Sequence, residues 1–209
     1  FKARFLFHGP RAMRIEPGTL AGGDALWVRP RRRAADITVL YFHGGGFVFG
    51  SPHTHAAMAS ALAQRAGAQA ILPRYPLAPE HPFPAALDQA EGAALPDALF
   101  AFSPLTDLTF SGASLRDNAD AEAMLPVERA AQMADLYLHG ADPTDPRVSP
   151  LFADFTGACP VWITVGDTEI LRDASRRIVD RMNAQGVDIT FDEAHDLPHV
   201  WPLFHNTLP

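Results

Sequence analysis

Hydrophobic residues follow two kinds of pattern along this chain. Short apolar runs bounded by turn residues predict strands, and longer segments with apolar residues three or four positions apart predict helices. The alternation of the two predicts an α/β fold with a mostly parallel central sheet flanked by helices. The predicted strands are 12–16, 25–29, 37–42, 68–73, 98–102, 161–165 and 187–191, and the predicted helices are 54–66, 85–90, 126–139, 171–185 and 200–208.

Three features of this pattern bear on domain organisation. The first two strands are expected to form a short antiparallel pair, and the run 37–42 is expected to be a buried strand. Residues 111–150 contain no predicted strand, so we expect a small cap or excursion beside the sheet. The 209 residues are of a length suited to one domain, and we predict a single domain over residues 1–209.

One interval in the pattern is too short. Seven residues separate position 90, where a predicted helix ends, from position 98, where the next strand begins. A strand–helix–strand unit needs about 30 residues or more. The sequence therefore predicts a missing segment near residues 90–91.

Composition and charge argue against several classes of protein, including nucleic-acid-binding and membrane-spanning proteins. The net charge is −7, and the one basic cluster, at 29–33, has no interleaved aromatic residues, so we expect no nucleic-acid partner. No apolar run reaches the length of about 18 residues that a membrane span requires. A single cysteine, Cys159, excludes an internal disulfide framework and favours a reducing, cytoplasmic location. The chain starts at Phe1 and not at a methionine, so the sequence leaves export open.

Three consecutive glycines, Gly44, Gly45 and Gly46, follow the apolar run 37–42. Glycines directly after a strand leave backbone N–H groups bare, and such groups can hold a developing oxyanion. A flexible turn is the alternative interpretation. His43, His53 and His55 lie close together in sequence, but no further ligand cluster accompanies them, so we expect helix-entry and loop roles and no metal.

A histidine and an acid complete the candidate chemistry. His199 follows the last predicted strand, where a mobile general base would lie, although most of the nine histidines are expected to be structural. Asp167, Glu169 and Asp173 follow the strand 161–165, and one of them could accept a hydrogen bond from His199. The alternative is structural, with Asp167 as a helix N-cap and Glu169 in the first turn. No G-x-S-x-G nucleophile motif occurs in the chain.

Six segments together resemble the hormone-sensitive-lipase-like family of α/β-hydrolases, the bacterial family IV carboxylesterases. They are 42–47 (Phe-His-Gly-Gly-Gly-Phe), 74–86, 102–109, 145–151, 165–171 and 198–200. The resemblance implies the α/β-hydrolase fold and a serine esterase that cleaves short to medium acyl esters with a Ser–His–acid triad and no cofactor.

The resemblance also assigns roles. Gly45 and Gly46 would donate to the oxyanion while Gly44 shapes the turn, and His199 would be the base. Glu169, thirty residues before His199, would be the acid, with Asp167 in reserve. The loop containing Glu80 and His81 would brace the glycine loop. A homodimer through the last strand and helix is a further implication.

The chain departs from this family at one place. Family members carry the nucleophile in Gly-Asp-Ser-Ala-Gly, between the counterparts of the helix 85–90 and the strand 98–102, and on the order of forty residues are missing here. No serine of this chain has the required turn context, so no nucleophile is assigned. Either the natural protein contains a segment that this sequence omits, or the deletion is genuine. In the second case the chain would be a non-catalytic ligand- or partner-binding module, or a structural remnant.

Overall fold

The computed structural model describes residues 9–32, 34–88 and 95–204. They divide into two compact units. The first contains the described residues up to His81, with 85–88 and 203–204, and the second contains 82–84 and 95–202. Each unit has its own sheet. None of the helices in these residues is long and apolar enough to cross a membrane.

Within the described residues, the first unit has a four-stranded sheet and two helices. Its elements are β1 (Met13–Leu20), β2 (Gly23–Pro30), β3 (Thr38–Leu40), α1 (Pro52–Arg65), β4 (Gln69–Pro73) and α2 (Ala85–Asp88). The strand order is β1-β2-β4-β3. β1 and β2 form the predicted antiparallel pair, β4 pairs antiparallel with β2, and β3 pairs parallel with β4. Helix α1 packs on β2 and β4.

Local chemistry explains where α1 begins. The Ser51 hydroxyl accepts from the Thr54 N–H at 3.3 Å, and the Thr54 hydroxyl accepts from the Ser51 N–H at 3.1 Å. This reciprocal capping box satisfies two N–H groups that a helix start would otherwise leave unpaired. Small buried residues such as Ala59 and Ala63 then allow the helix to approach the sheet closely.

The prediction that residues 37–42 form a buried strand is wrong. The strand is shorter, and Ile37, Leu40 and Phe42 are 57%, 37% and 49% exposed. The physical reason is pairing: among the described strands β3 has one neighbour, β4, so its other edge is open. Parallel strands are normally covered on both faces, and an apolar edge strand is a liability for association.

The described part of the second unit has a parallel three-stranded sheet and three α-helices. Its elements are β5 (Leu99–Phe102), α3 (Ser114–Asp117), α4 (Val127–Leu138), β6 (Val161–Gly166), α5 (Arg172–Ala184) and β7 (Ile189–Ala194). The strand order is β5-β6-β7, with Val161 of β6 opposite Leu99 and Ile189. Helix α5 packs on β6 and β7, and their shared core includes Ile163, Ile178 and Met182.

Residues 111–150, all of them described, contain α3 and α4 and no strand. The predicted final helix 200–208 is present as a 3-10 turn at Trp201–Phe204. Residues 205–208 lie outside the described residues, as do the predicted break at 90–91 and the last two positions of the predicted helix 85–90.

Candidate active site

The glycine segment after β3 folds into a tight loop held by its own backbone. The Gly45 carbonyl accepts from the N–H groups of Val48 and Phe49, both at 3.1 Å. Gly45 and Gly46 have φ angles of 124° and 58°, in the region that favours glycine. A Cβ at Gly45 would lie 2.0 Å from the Phe49 carbonyl oxygen, so the loop can close in this way only with glycine there.

His43 lies buried against this loop, and its tautomer follows from its contacts. Its Nδ1 is 2.8 Å from the Gly44 carbonyl oxygen and 3.1 Å from the hydroxyl oxygen of Tyr75, whose ring stacks on the imidazole at 4.3 Å. A carbonyl only accepts, so Nδ1 carries the proton, and the Tyr75 hydroxyl donates to the His43 carbonyl. Burial lowers the pKa of His43, which favours the neutral ring.

These contacts fix the direction of two N–H groups. In a trans peptide the C=O and N–H point in opposite directions. Because the Gly44 carbonyl is held by His43 and the Gly45 carbonyl by Val48 and Phe49, the N–H groups of Gly45 and Gly46 point away from those partners. Within the described residues no hydrogen bond uses either N–H as a donor. Two oriented, available donors are suited to stabilising an oxyanion.

The loop is braced by the segment after β4. The Ala78 N–H donates to the Phe47 carbonyl at 2.8 Å, and Tyr75 holds His43 as described. The side chains of Glu80 and His81, which the resemblance assigned to this bracing, are exposed. The bracing contacts in the structure therefore come from Tyr75 and Ala78.

The second unit brings His199 and Glu169 together. His199 Nδ1 lies 2.7 Å from Glu169 Oε2, in a pair whose side chains are 19% and 0% exposed. An ionised carboxylate can accept hydrogen bonds but cannot donate them, so the proton of this hydrogen bond belongs to Nδ1. Nε2 of His199 is then left free to accept a proton. The other oxygen of Glu169 accepts from the Ser103 hydroxyl at 2.7 Å and from the Gly166 N–H at 2.5 Å.

Asp167, the reserve candidate, has a different histidine. Its Oδ2 lies 2.7 Å from His195 Nδ1, and its Oδ1 accepts from the Asp196 N–H at 2.9 Å. The hydrogen bond with His195 lowers the pKa of Asp167 and raises the pKa of His195. The structure thus brings Glu169, and not Asp167, to His199. The third candidate, Asp173, accepts from the Ser114 N–H at 2.9 Å.

The alternative in which Asp167 caps a helix is wrong. Helix α5 begins at Arg172, and Leu171 occupies the N-cap position. Asp167 and Glu169 therefore lie in the turn between β6 and α5, where neither side chain caps the helix. The sequence pattern placed the helix start almost correctly, but it could not separate a long turn from a first helical turn.

Ser103 connects Glu169 to the loop that carries His199. Its hydroxyl donates to Glu169 and accepts from the Val200 N–H at 2.9 Å. Val200 has a φ of 51°, which is rare for a β-branched residue, and Ser103 itself has a φ of 46°. Such strained positions persist where surrounding contacts determine them, and they cluster at functional sites. The sequence offered no local sign of this role for Ser103.

The histidines near the glycine loop make protein contacts. His55 Nδ1 is 2.9 Å from the Thr54 hydroxyl, and its ring stacks on His43 at 5.6 Å. Across residues 9–32, 34–88 and 95–204, one group of side chains has the spacing of metal ligands: Glu122, Glu169 and His199, with ligand atoms within 4.8 Å of one another. All three already make protein hydrogen bonds, so we assign this group no metal.

Comparison with known proteins decides the family. A family model for the alpha/beta hydrolase fold matches residues 39–96 and 89–203. An acetyl-hydrolase of Streptomyces hygroscopicus is 33% identical, with 93% of this chain and 79% of the relative covered. The chain belongs to the hormone-sensitive-lipase-like esterases of the alpha/beta hydrolase fold.

Two further relatives of this esterase agree. An esterase of Acinetobacter venetianus is 32% identical, with 98% of this chain and 80% of the relative covered. The crystal structure of an esterase from the bacterial hormone-sensitive lipase family matches with a TM-score of 0.91 at 32% identity, covering 97% of this chain and 81% of that one. The predicted fold and the predicted class, a carboxylic ester hydrolase acting on small-molecule esters, are therefore confirmed.

The match of this esterase to its family is interrupted. The family model matches in two separate ranges that overlap at residues 89–96, where the sequence predicts a missing segment. The alignment with the acetyl-hydrolase runs over 236 positions, although it includes only 93% of the 209 residues here. About forty aligned positions therefore have no counterpart residue in this esterase. That length exceeds what one strand and one helix require.

Proposed function

We propose that the natural enzyme hydrolyses short to medium acyl esters with a serine nucleophile, and that this serine lies on a segment omitted from the present sequence near residues 90–91. The observation that carries the proposal is the 2.7 Å contact between His199 and Glu169. It leaves the imidazole with a protonated Nδ1 and a free Nε2, the state that a general base needs.

Open sheet edges support the omitted segment. In the first unit β3 pairs with β4 alone among the described strands, and in the second β5 pairs with β6 alone. Apolar side chains are exposed at both, with Leu40 at 37% and Leu99 at 44%. A parallel edge strand with exposed apolar residues is what remains when a neighbouring strand is removed. The interruption of the family match at residues 89–96 supports the same conclusion.

In the proposed reaction the serine Oγ attacks the ester carbonyl carbon while His199 Nε2 takes the hydroxyl proton. The carbonyl oxygen becomes an oxyanion that accepts hydrogen bonds from the N–H groups of Gly45 and Gly46. The Glu169 carboxylate stabilises the imidazolium. The tetrahedral intermediate collapses, the C–O bond to the alcohol breaks, and the imidazolium returns its proton to the leaving alkoxide.

The acyl-enzyme is then hydrolysed by the same groups. His199 Nε2 removes a proton from water, whose oxygen attacks the acyl carbon, and the second oxyanion is held by Gly45 and Gly46. Collapse releases the carboxylic acid, and the proton on His199 returns to the serine oxygen. Every proton that leaves a nucleophile is thus delivered to a leaving group, and no cofactor is needed.

A preference for short acyl groups is supported by the name of the Streptomyces relative, an acetyl-hydrolase. We expect kcat/KM on p-nitrophenyl esters to be highest for acetyl to octanoyl groups and to fall for long chains. A maximum at long-chain esters would contradict this part of the proposal.

Labelling by an organophosphate tests the nucleophile. The product of the native gene and the 209-residue chain are each treated with diethyl p-nitrophenyl phosphate, and the modified peptide is located by mass spectrometry. The proposal expects one labelled serine in the native product, within sequence inserted near residues 90–91, and no label on the 209-residue chain. A native product identical to the 209 residues, with no label, would favour the non-catalytic binding module.

We further propose a cytoplasmic homodimer. The single cysteine, Cys159, is free, in keeping with a reducing compartment. Among the described strands β7 pairs with β6 alone, which leaves an edge that a second copy could extend. Light scattering after size exclusion should give twice the monomer mass, and a mass near 22.7 kDa would contradict the dimer.

A further inference from the structure

The peptide bond that follows Glu169 is held at both ends by one segment of the chain. Asn118 Nδ2 donates to the Glu169 carbonyl oxygen at 2.8 Å, and the Ile170 N–H donates to Glu122 Oε2 at 3.3 Å. The carbonyl and the N–H belong to the same planar peptide group. Its position and its rotation are therefore both set by two side chains located 48 to 51 residues away in sequence.

Each of these side chains has further contacts that hold it in place. Asn118 Nδ2 also donates to the Asp167 carbonyl oxygen at 2.9 Å, so one amide group holds the turn on both sides of Thr168. Glu122 is 8% exposed, and its Oε1 accepts from the N–H groups of Met124 at 2.9 Å and Leu125 at 3.1 Å. A buried carboxylate that accepts three N–H groups is firmly oriented.

The position of this peptide matters for the acid. Glu169 is fully buried, and its carboxylate must meet Ser103, Gly166 and His199 at the same time. Hydrogen bonds weaken steeply once their geometry is lost, and a displacement of about 1 Å at a catalytic group is costly. Because the Glu169 side chain starts from the backbone that Asn118 and Glu122 hold, a shift there would reach His199 Nδ1.

Glu122 is itself close to the pair. One of its oxygens lies within 4.8 Å of ligand atoms of Glu169 and of His199. Its oxygens are nevertheless engaged by backbone N–H groups, whereas His199 Nδ1 is engaged by Glu169. Glu122 thus acts on the acid through the backbone, and does not replace it as the partner of the base.

We propose that Asn118 and Glu122 are positioning residues for the catalytic acid: they fix the Glu169–Ile170 peptide and thereby keep the Glu169 carboxylate on Nδ1 of His199. This inference rests on the proposed role of the His199–Glu169 pair. It gives residues 111–150, expected from sequence to form a cap, a second role in orienting the acid.

The tautomer of the His199 imidazole tests this proposal, and it can be measured without an activity assay. In the 209-residue chain labelled with ¹⁵N, two-bond correlations from the ring C–H protons show which nitrogen carries the proton, at a pH well above the ordinary imidazole pKa of about 6.5. The parent should show His199 protonated at Nδ1. The variants Asn118→Asp and Glu122→Gln are nearly isosteric with the parent. The first replaces the donating NH₂ group of Asn118 by an accepting oxygen, and the second replaces an accepting oxygen of Glu122 by an NH₂ group. Each variant should raise the fraction of His199 that is protonated at Nε2 severalfold. The matched controls are Asn183→Asp and Glu128→Gln, both at exposed helix positions.

Each outcome has a defined meaning. If both site variants lower the melting temperature while His199 keeps the parent tautomer, Asn118 and Glu122 are merely structural and the inference is overturned. Should a site variant fail to fold, Asn118→Ser and Glu122→Asp are used in its place, with the same two outcomes. A parent chain in which His199 is not protonated at Nδ1 would overturn the His199–Glu169 pairing of the proposed function, and the inference with it.

Discussion

His199 Nδ1 lies 2.7 Å from Oε2 of Glu169, and the Glu169 carboxylate has no exposed surface. Two residues earlier, Asp167 is paired with the exposed His195 instead. Two acids separated by one residue thus serve two histidines, one pair shielded from water and one on the surface. A carboxylate shielded from water stabilises an adjacent imidazolium far more than a solvated carboxylate does, because less water is present to screen the attraction between the two charges.

This difference predicts which acid substitution abolishes activity. In the enzyme that carries the nucleophile segment, Glu169→Gln should lower kcat by about 10³- to 10⁴-fold, because the neutral amide no longer enforces the Nδ1–H tautomer. Asp167→Asn, its matched control, should change kcat by no more than a few fold. Steady-state hydrolysis of p-nitrophenyl acetate measures both, and a larger loss in Asp167→Asn would reverse the assignment.

The glycine loop predicts a second effect. Gly45→Ala places a methyl group 2.0 Å from the Phe49 carbonyl oxygen and must displace the loop. Loss of one oxyanion donor typically costs about 10²- to 10³-fold in kcat, and we expect at least that. Gly67→Ala is the control, since its φ of 64° is strained in the same way but nothing lies within 4 Å of the added Cβ. Equal kcat in the two variants would argue against an oxyanion role for this loop.

Ser103 predicts a measurable loss of stability. Ser103→Ala leaves the buried Glu169 and the Val200 N–H each without one partner, which should lower the free energy of unfolding by about 1–3 kcal/mol. Ser175→Ala is the matched control, because that buried hydroxyl has no hydrogen-bond partner in the described structure. Urea unfolding of both variants checks this. If Ser175→Ala costs as much as Ser103→Ala, the hydrogen bonds of Ser103 are not the cause.

Acid should destabilise the protein through the histidines of the first unit. Burial lowers the pKa of both His43 and His55. Below the ordinary pKa of about 6.5 the unfolded chain therefore binds more protons than the folded one, and the free energy of unfolding falls as pH falls through that window. His55→Gln should reduce the change in the urea midpoint between about pH 7.5 and about pH 5.5.

A control separates this effect from the surface histidine. The pKa of His195 is raised by Asp167, so its contribution has the opposite sign and is lost as pH rises. His195→Gln should therefore leave the acid destabilisation in place or steepen it slightly. An unchanged pH dependence in His55→Gln would contradict the explanation.

Local patterns predicted the elements well, because periodicity is a local property. The helix predicted at 54–66 is Pro52–Arg65, and the one predicted at 171–185 is Arg172–Ala184. The burial of residues 37–42 was predicted wrongly, since burial depends on which strand lies next to a run and not on the run itself. A strand without a neighbour on one side has the same apolar sequence as a central strand, but its apolar side chains are exposed to solvent.

The site was predictable only in its motif residues. Glycines after a strand and a histidine after the last strand have recognisable positions, so the sequence predicted Gly45 and His199 as candidates. The choice between Asp167 and Glu169 needed the course of the turn. The contacts of Ser103, Asn118 and Glu122 with the acid turn join positions 48 to 66 residues apart, and no sequence pattern reports such pairings.

We propose that this chain holds the oxyanion loop, the base and the acid of an esterase whose serine lies on a segment it lacks. The most direct measurement is the hydrolysis of p-nitrophenyl butyrate by three proteins. The first is the 209-residue chain, and the second, the insertion, is the same chain with the corresponding segment of the Streptomyces acetyl-hydrolase inserted after Ala90. The third is the insertion with His199→Ala. We predict activity above background only in the insertion that retains His199. Activity of the 209-residue chain itself, or activity of the insertion that survives His199→Ala, would contradict the account.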